Sequence, residues 1–326
     1  MMGAAGTVTP GGGREATTAH IRTRLSHSGL FYRSDDEYTR VVGDFIMDGL
    51  DHDSPVSMAA PPEQIALVRD ALGTDAAAVR FTDMTAVGRN PARVMPMIQA
   101  FVDDHAGQHC RFVGEPIWPG RERAEFQEAT IHEALKNVVF AAADVDILCP
   151  YDAERLPPEV LADSMRTHPT LVSPAGTDPS RHYTSAQVLC SPARWPLPEP
   201  ESGVETRTSA DLRSIRQFVY THALRGGLGP DRADDAALAS VELCTNTLRH
   251  ASQTPTVSVW RHGDTFVAQV QDSGTITDPL VGRRRVGPLA ESGRGLFLVN
   301  ELCDLVQIRS SRQAGTTVRI HLHGAG

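Results

Sequence analysis

The sequence predicts two mixed domains in tandem: an α/β half built on a mostly parallel sheet, then an α+β sandwich. Three observations carry that prediction. From residue 20 to about 172, short apolar runs alternate with stretches of helical period, the pattern of strands running parallel beneath crossover helices. Residues 191–200 bring Pro192, Pro196, Pro198 and Pro200 together, which excludes a helix interior and reads as stiff, extended chain. Beyond them, helical stretches lead into strands of period two separated by Gly and Asp, the spacing of hairpins.

In chain order, residues 1–19 are rich in Gly, Ala and Thr and lack the basic region and apolar core of a signal peptide, so a disordered tail is expected. Residues 38–50 have helical periodicity behind Asp35, Asp36 and Glu37, acids suited to a helix N-terminus. Residues 55–60 read as a short buried strand, and 62–72 as a helix opened by Pro62 and stopped by Gly73. Strands at 79–82, 110–115 and 145–149 alternate with helices at 91–105 and 122–142. Residues 181–190 are a candidate last strand of a domain spanning 20–190, and 191–208 form the linker. In the second domain, 209–326, residues 211–224 form an amphipathic helix with Leu212, Ile215, Phe218, Val219 and Leu224 inward. Gly226, Gly227 and Pro230 break it, and 234–251 form a second helix. Residues 256–261 and 265–270 make a hairpin. A segment at 275–292 carries Arg283, Arg284 and Arg285, a helix follows at 296–302, and strands at 305–309 and 316–322 complete a mixed sheet with helices on one face.

The bulk properties narrow the function. A chain of 326 residues with 40% hydrophobic content holds two domains with real cores. A net charge of -9 disfavours direct nucleic-acid binding, which needs a basic face. The five Cys are odd in number and form no CxxC, which argues against a disulfide framework or structural zinc site and fits a reducing cytoplasm. No apolar stretch approaches the length of a membrane span. His105 and His109 have metal-like spacing, but Gly107 between them and the lack of a completing carboxylate favour a plain helix end.

Several residues of the first half stand out as a candidate pocket: His27, the turn Trp118-Pro119-Gly120, His132 and Glu133 with Asn137 on the long helix, and Cys149-Pro150-Tyr151-Asp152. The last group lies at the carboxyl end of a strand, where open α/β sheets place ligands. No Gly-rich phosphate loop follows any strand here. With Gly29-Leu30-Phe31-Tyr32, these residues resemble the MEDS sensory domain, a RecA-like α/β module of bacterial regulators. The resemblance implies a sensory pocket for an unknown small ligand among His27, Trp118, His132, Glu133, Asn137, Tyr151 and Asp152. Ordinary packing and capping is the competing account.

Four pieces stand in a fixed order in the second half: Glu242 with Asn246, Asp272-x-Gly274, Gly293-x-Gly295, and Gly315-Thr316. On a helix Glu242, Asn246 and His250 fall on one polar stripe. A carboxamide oxygen there can ligate Mg²⁺, and a carboxylate can deprotonate an attacking hydroxyl. An aspartate at a strand end can accept from an adenine amine, glycines before a helix leave N–H groups facing phosphates, Thr316 offers a hydroxyl, and the arginines of 275–292 can neutralise a triphosphate. Order and spacing resemble the GHKL ATPase fold and, within it, the serine-kinase anti-sigma factors of partner-switching systems. The resemblance assigns the N box to Glu242, Asn246 and His250, the G1 box to Asp272 and Gly274, and the G2 box to Gly293 and Gly295. One departure stands out: Ile276 occupies the place of the family's second G1 glycine. If that glycine has positive φ, Ile is strained there, the hinge is altered and nucleotide affinity falls.

Together these pieces and the resemblance imply a serine/threonine kinase using ATP and Mg²⁺. Glu242 is the activating base, Asn246 the metal ligand, and Arg294 stabilises transferring charge. The resemblance implies a STAS-type anti-sigma antagonist and a sigma factor as partners, in the cytoplasm, without membrane or direct nucleic acid; homodimerisation stays open. Two alternatives remain. One is a nucleotide-binding or nucleotide-degenerate protein switch without phosphoryl transfer. The other is a sensor histidine kinase, which fits less well because only one helix precedes the ATPase stretch and its His222 reads as an ordinary helix-end residue.

Overall fold

Parallel strands need a crossover between them, and the first half of the chain supplies one each time. The computed structural model describes residues 25–200, 202–285 and 294–324; the expected tail at 1–19, residues 286–292 and Gly293 lie outside the described residues. In chain order come β1 (Leu25–Tyr32), α1 (Asp35–Asp51), β2 (Val56–Ala60), α2 (Pro62–Leu72), β3 (Val79–Asp83), α3 (Met84–Val87) and α4 (Val94–Asp104). Then follow β4 (Cys110–Gly114), α5 (Arg123–Val139), β5 (Val145–Asp152), α6 (Pro158–Thr167), β6 (Thr170–Ser173), β7 (Gly176–Pro179) and α7 (Ala186–Leu189). The sheet runs β3-β2-β4-β5-β1-β6-β7, parallel except for the β6–β7 hairpin.

Both faces of this sheet are covered, so its inner strands read as short apolar runs. On one face Leu30, Met58, Val113 and Leu148 pack against Val42, Ile46 and Val68 of α1 and α2. On the other, Phe112, Ile147 and Tyr151 pack against Ile98 of α4 and Leu135 of α5. The sequence pattern did not reveal β1, whose Ser26, His27, Ser28 and Gly29 break the apolar run, nor α6 and the β6–β7 hairpin. The candidate strand at 181–190 is instead the short helix α7. The place beside β6 is taken by hairpin strand β7.

The second half contains β8 (Glu205–Thr208), α8 (Leu212–Arg225), α9 (Pro230–Asn246), β9 (Thr256–His262), β10 (Thr265–Asp272), α10 (Arg294–Leu302), β11 (Leu305–Ser311) and β12 (Gly315–His323). Its sheet, β11-β12-β10-β9-β8, is antiparallel at every pairing rather than mixed. Tight turns join β9 to β10 and β11 to β12, and such turns reverse the chain. Strand β8 adds an edge from within residues expected to be linker. Asp211 caps α8 by accepting from the Arg213 N–H, and Ile215, Val219 and Ala223 face inward. Leu224, expected inside, is 39% exposed, because one face of a helix cannot take both it and Ala223. These helices meet the sheet at Val257, Ala268, Val270 and Ile320.

The two halves meet on helix α5. Every residue of it from Glu128 to Lys136 is buried, charged ones included. A helix buried all round is enclosed on both sides: the parallel sheet lies under one face and β11 with the 275–285 segment over the other. There Glu128 accepts from Arg283 at 2.7 Å and from Arg309 at 2.7 Å, and all three side chains are at least nine-tenths buried. Leu280 packs into the first domain's core. Arg93 donates to the backbone oxygens of Asn300 (2.8 Å) and Cys303 (2.9 Å), closing the C-terminus of α10 from the other domain.

Removing one partner of a buried charge network leaves the others desolvated and unpaired, at a cost of about 3–5 kcal/mol. Glu128→Ala is therefore expected to lower unfolding free energy in a guanidinium titration by that amount. A loss below about 1 kcal/mol, the scale of an exposed pair, shows that water already reaches the seam.

Candidate functional site

Helix α9 ends at Asn246, and the chain continues through a wider π turn, Thr247–Ala251, to Ser252 at φ 52. A wider turn advances each side chain less around the axis. It turns Thr247 inward and leaves His250 exposed, so the polar stripe expected through residue 250 bends at its end. Thr247 donates from Oγ1 to Asp272 Oδ2 at 2.8 Å, while Asp272 Oδ1 accepts from the Gly274 N–H at 2.8 Å. The carboxylate at the end of β10 is thus held from both sides, with lone pairs to spare.

The loop beyond Asp272 is held in turn. Ile276 N–H donates to Ser310 Oγ (2.8 Å), Ser310 and Thr316 hydroxyls lie 2.7 Å apart, and Thr316 Oγ1 donates to the Gly274 carbonyl (2.9 Å). Gly315 is required: φ is 73°, and a Cβ there would lie 2.1 Å from the Asp272 carbonyl oxygen. Among the described residues, only Asp53 and Ser252 combine a side chain with positive φ. Ile276 therefore carries no such strain, and the expected hinge penalty is absent; its side chain packs on the domain core instead.

These elements enclose a cavity of ≈230 Å³ whose walls include Asn246, His250, Asp272, Gly274, Gly295 and Thr316. Glu242 closes in from α9: a methyl on Gly295 would lie 3.0 Å from Glu242 Oε2 and 3.6 Å from Asn246 Nδ2. Arg294 opens α10 and is exposed. A larger cleft of ≈690 Å³ lies on the sheet's other face, among Trp195, Trp260 and Arg319, and holds none of these residues.

Of the arginines expected to neutralise phosphates, the buried one is committed to another partner. Arg283 is buried against Glu128, Arg284 pairs with Asp278 at 2.7 Å, and Arg285 pairs with Asp103 at 3.4 Å. Two of the three reach carboxylates of the first domain, because this segment lies on that domain as well as over the cavity.

A second cluster lies between α5 and the parallel sheet. His27 Nδ1 is 3.0 Å from Asn137 Oδ1, and its Nε2 is 3.3 Å from Glu133 Oε2 and 3.4 Å from Cys149 Sγ. Lys136 Nζ lies 2.6 Å from Glu133 Oε1 and 3.4 Å from Cys149 Sγ. His168, just after α6, places Nε2 3.4 Å from Glu133 Oε2, and Gly29 makes room for its ring: a Cβ there would lie 3.2 Å from His168 Cγ. Burial, with His168 beside it, lowers His27 to about 4 and keeps it neutral. Burial opposes ionisation of Glu133, yet the Lys136 ammonium beside it holds it well below the carboxylate range. Tyr151 stacks on Phe31 and meets His168 edge-on.

Not every residue of the expected sensory pocket joins this cluster. His132 is buried with neither ring nitrogen hydrogen-bonded, and burial holds it neutral. Trp118 lies under Arg121, 4.0 Å from its guanidinium carbon. Asp152 accepts from the Glu154 and Arg155 N–H groups at 3.0 and 2.9 Å and lines a separate cleft with Tyr32 and Glu63. Cys149, singled out in the sequence, joins the cluster, and so does Lys136, which the expected pocket did not include. His168 gave no signal, being a lone histidine before Pro169.

Residues 26–169 match the MEDS family model, described as a methanogen/methylotroph, DcmR sensory domain, and residues 206–322 match the histidine kinase-like ATPase domain. The serine-protein kinase RsbW of Bacillus cereus (strain ATCC 10987 / NRS 248) is 33% identical over 107 residues, covering 29% of this chain and 67% of that protein. The chain belongs to the RsbW family. A further RsbW serine-protein kinase, from Halalkalibacterium halodurans, is 32% identical over 107 residues, covering 29% of this chain and 66% of its own length. The RsbU and RsbW domains of Rv1364c from Mycobacterium tuberculosis align at a TM-score of 0.29 and 18% identity, over 37% of this chain and 32% of that one, too slight a likeness to carry weight. The RsbW portion holds the cavity and the MEDS portion the buried cluster. The ATPase-domain match implies use of ATP. Among the described residues no helix is long and apolar enough to cross a membrane.

Two outcomes are expected from this geometry. Ile276→Gly in the RsbW portion relieves no backbone strain, so it is expected to destabilise by about 1–3 kcal/mol through lost packing; a gain in thermal stability contradicts the absence of strain. In the MEDS portion, Glu115 accepts from the hydroxyls of Tyr32 (3.1 Å) and Tyr38 (3.2 Å), and burial pushes its carboxyl from 4.5 up to about 8. Its protonated form is favoured by folding, so its contribution is full below 4.5 and is lost as pH rises through 8. The stability of wild type relative to Glu115→Gln is therefore expected to fall between those values in parallel urea titrations; a difference that stays flat places Glu115 in water.

Proposed function

We propose that this chain is an ATP-dependent serine/threonine kinase of the anti-sigma type, acting on a STAS-type antagonist and binding a sigma factor, under control of its sensory domain. The supporting observation is the convergence of Glu242, Asn246 and Gly295 beside a cavity whose far wall holds the doubly anchored Asp272. The residues present suit ATP with Mg²⁺. A side chain on Gly295 would press on Glu242, so the bare backbone leaves room beside the carboxylate and carboxamide.

Asn246 would hold Mg²⁺, whose charge would offset that of the phosphates. The N–H groups at the start of α10 would face phosphate oxygens, favoured by the helix dipole. Asp272, fixed by Thr247 and Gly274, would accept from the adenine amine, with Thr316 on the same wall. Glu242 takes the proton from the partner's Ser or Thr hydroxyl as the oxygen attacks, and Arg294 stabilises the transferring charge. Helix α5 links the sensory cluster to the cavity, since Glu128 anchors Arg283 of the segment that covers it.

A second reading, a nucleotide-dependent binding switch without transfer, is favoured by the burial of Arg283 against Glu128, which withholds it from phosphates. Radiolabelled γ-phosphate transfer to a co-purified STAS partner separates the two. Glu242→Gln is expected to cut transfer at least about 100-fold, the scale of general-base loss, while nucleotide binding persists. Asn246→Ala is expected to remove the Mg²⁺ dependence of binding. Nucleotide binding without transfer in the wild type leaves only the switch, and no binding at all ends both readings.

A further inference from the structure

The buried cluster under α5 poses a problem of matching donors to acceptors that no protein group present solves. Asn137 uses its amide nitrogen to donate to the Thr167 carbonyl at 2.8 Å, so its Oδ1 is the acceptor facing His27 Nδ1, which must carry the hydrogen. The same logic holds at His168, whose Nδ1 lies 2.8 Å from the Ser164 carbonyl oxygen. With the hydrogen on Nδ1, the neutral tautomer of each ring has a bare lone pair at Nε2. These two lone pairs point at the same carboxylate oxygen, Glu133 Oε2, at 3.3 and 3.4 Å. Cys149 Sγ lies 3.4 Å from His27 Nε2. Acceptors are therefore gathered around one centre where the Cys149 thiol hydrogen can serve only one of them, and His168 Nε2, fully buried, has no hydrogen-bond partner.

Three of the six ligand–ligand spacings match the edges of a coordination tetrahedron. Zinc bonds of about 2.0–2.1 Å to nitrogen or oxygen and about 2.3 Å to sulfur imply ligand–ligand edges of about 3.3 to 3.6 Å. The three distances above fall at or near that range, and all four ligand atoms lie within 4.8 Å of one another. The surroundings are those of a metal centre's outer layer, where each imidazole's far nitrogen donates to an amide or backbone oxygen and fixes ring and tautomer. Lys136 engages Glu133 Oε1, leaving Oε2 as the single oxygen facing the centre.

We propose that His27 Nε2, Glu133 Oε2, Cys149 Sγ and His168 Nε2 form a closed four-ligand site for a divalent transition-metal ion, zinc above all. The mixture of imidazole, thiolate and carboxylate in tetrahedral array suits zinc rather than magnesium or calcium. On binding, the Cys149 thiol gives up its proton to solvent and the sulfur donates its pair to the metal; no redox step is involved. The ligands come from β1, α5, β5 and the end of α6, far apart in sequence, so no CxxC or HxxxH spacing announces them. A metal here ties α5 to the sheet, on the same helix whose outer face grips Arg283 and Arg309. The site stands independently of the phosphoryl-transfer reading.

The test uses the full-length chain produced in zinc- and in cobalt-supplemented medium, desalted, and analysed for metal. About one ion per chain is expected, and the cobalt form should show a sulfur-to-cobalt charge-transfer band with the intense visible bands of tetrahedral Co²⁺. Cys149→Ser should lose the charge-transfer band, and His168→Ala should lose stoichiometric metal. If either variant does not fold, the wild-type cobalt spectrum still decides, because it needs no substitution. Folded wild-type protein without stoichiometric metal from either medium, or a cobalt spectrum lacking the sulfur band, overturns the site; Lys136 and protons would then hold the cluster alone.

Discussion

A carboxylate taken out of water must find partners or give up its charge, and helix α5 carries two such carboxylates on opposite faces. Glu128 looks outward to Arg283 and Arg309 of the RsbW portion. Glu133 looks inward to Lys136, His27 and His168 of the MEDS portion. The helix cannot slide or rotate without unpairing one set or the other. That constraint positions both domains, since each has built its buried polar network against the same rod.

The ATPase-type cavity depends on this rod indirectly. Its floor is fixed within its own domain by Thr247, Asp272 and the hydroxyl chain of Ser310 and Thr316. Its cover is not. Leu280 and Arg283 are held by the MEDS portion, and the C-terminus of α10 is closed by Arg93 from the same side. The two regions thus share a boundary, with α5 in direct contact with the cover through Glu128 and Arg283.

The family's second G1 glycine illustrates how a local rule can mislead. Ile276 looked like a conformational violation because glycine there suggests positive φ. The chain instead passes the position in an ordinary conformation, its N–H satisfied by Ser310 and its side chain by the core. A glycine pattern constrains the backbone only where the backbone needs it, and in this stretch Gly315, pressed on the Asp272 carbonyl, is the position that does.

Much of this architecture was legible in the sequence. Apolar periodicity and the flanking Pro, Gly and acidic residues marked the alternation of strands and helices from α1 to β5, because those signals are local. The Glu242, Asp272 and Gly295 pieces stood out in the sequence because they sit near the ends of consecutive elements and so keep their order along the chain, and the fold brings them beside one cavity. Strand β1 was not, because its core-facing positions hold His27 and Gly29 for reasons that exist only once α5 and His168 lie above them. Nor could the sequence bring residues 27, 133, 149 and 168 together, or turn Arg283 from a phosphate-facing cation into the partner of Glu128. Burial decides those roles, and burial belongs to the packed molecule: until the two domains close on α5, no side chain along the chain knows which charges will be left without water.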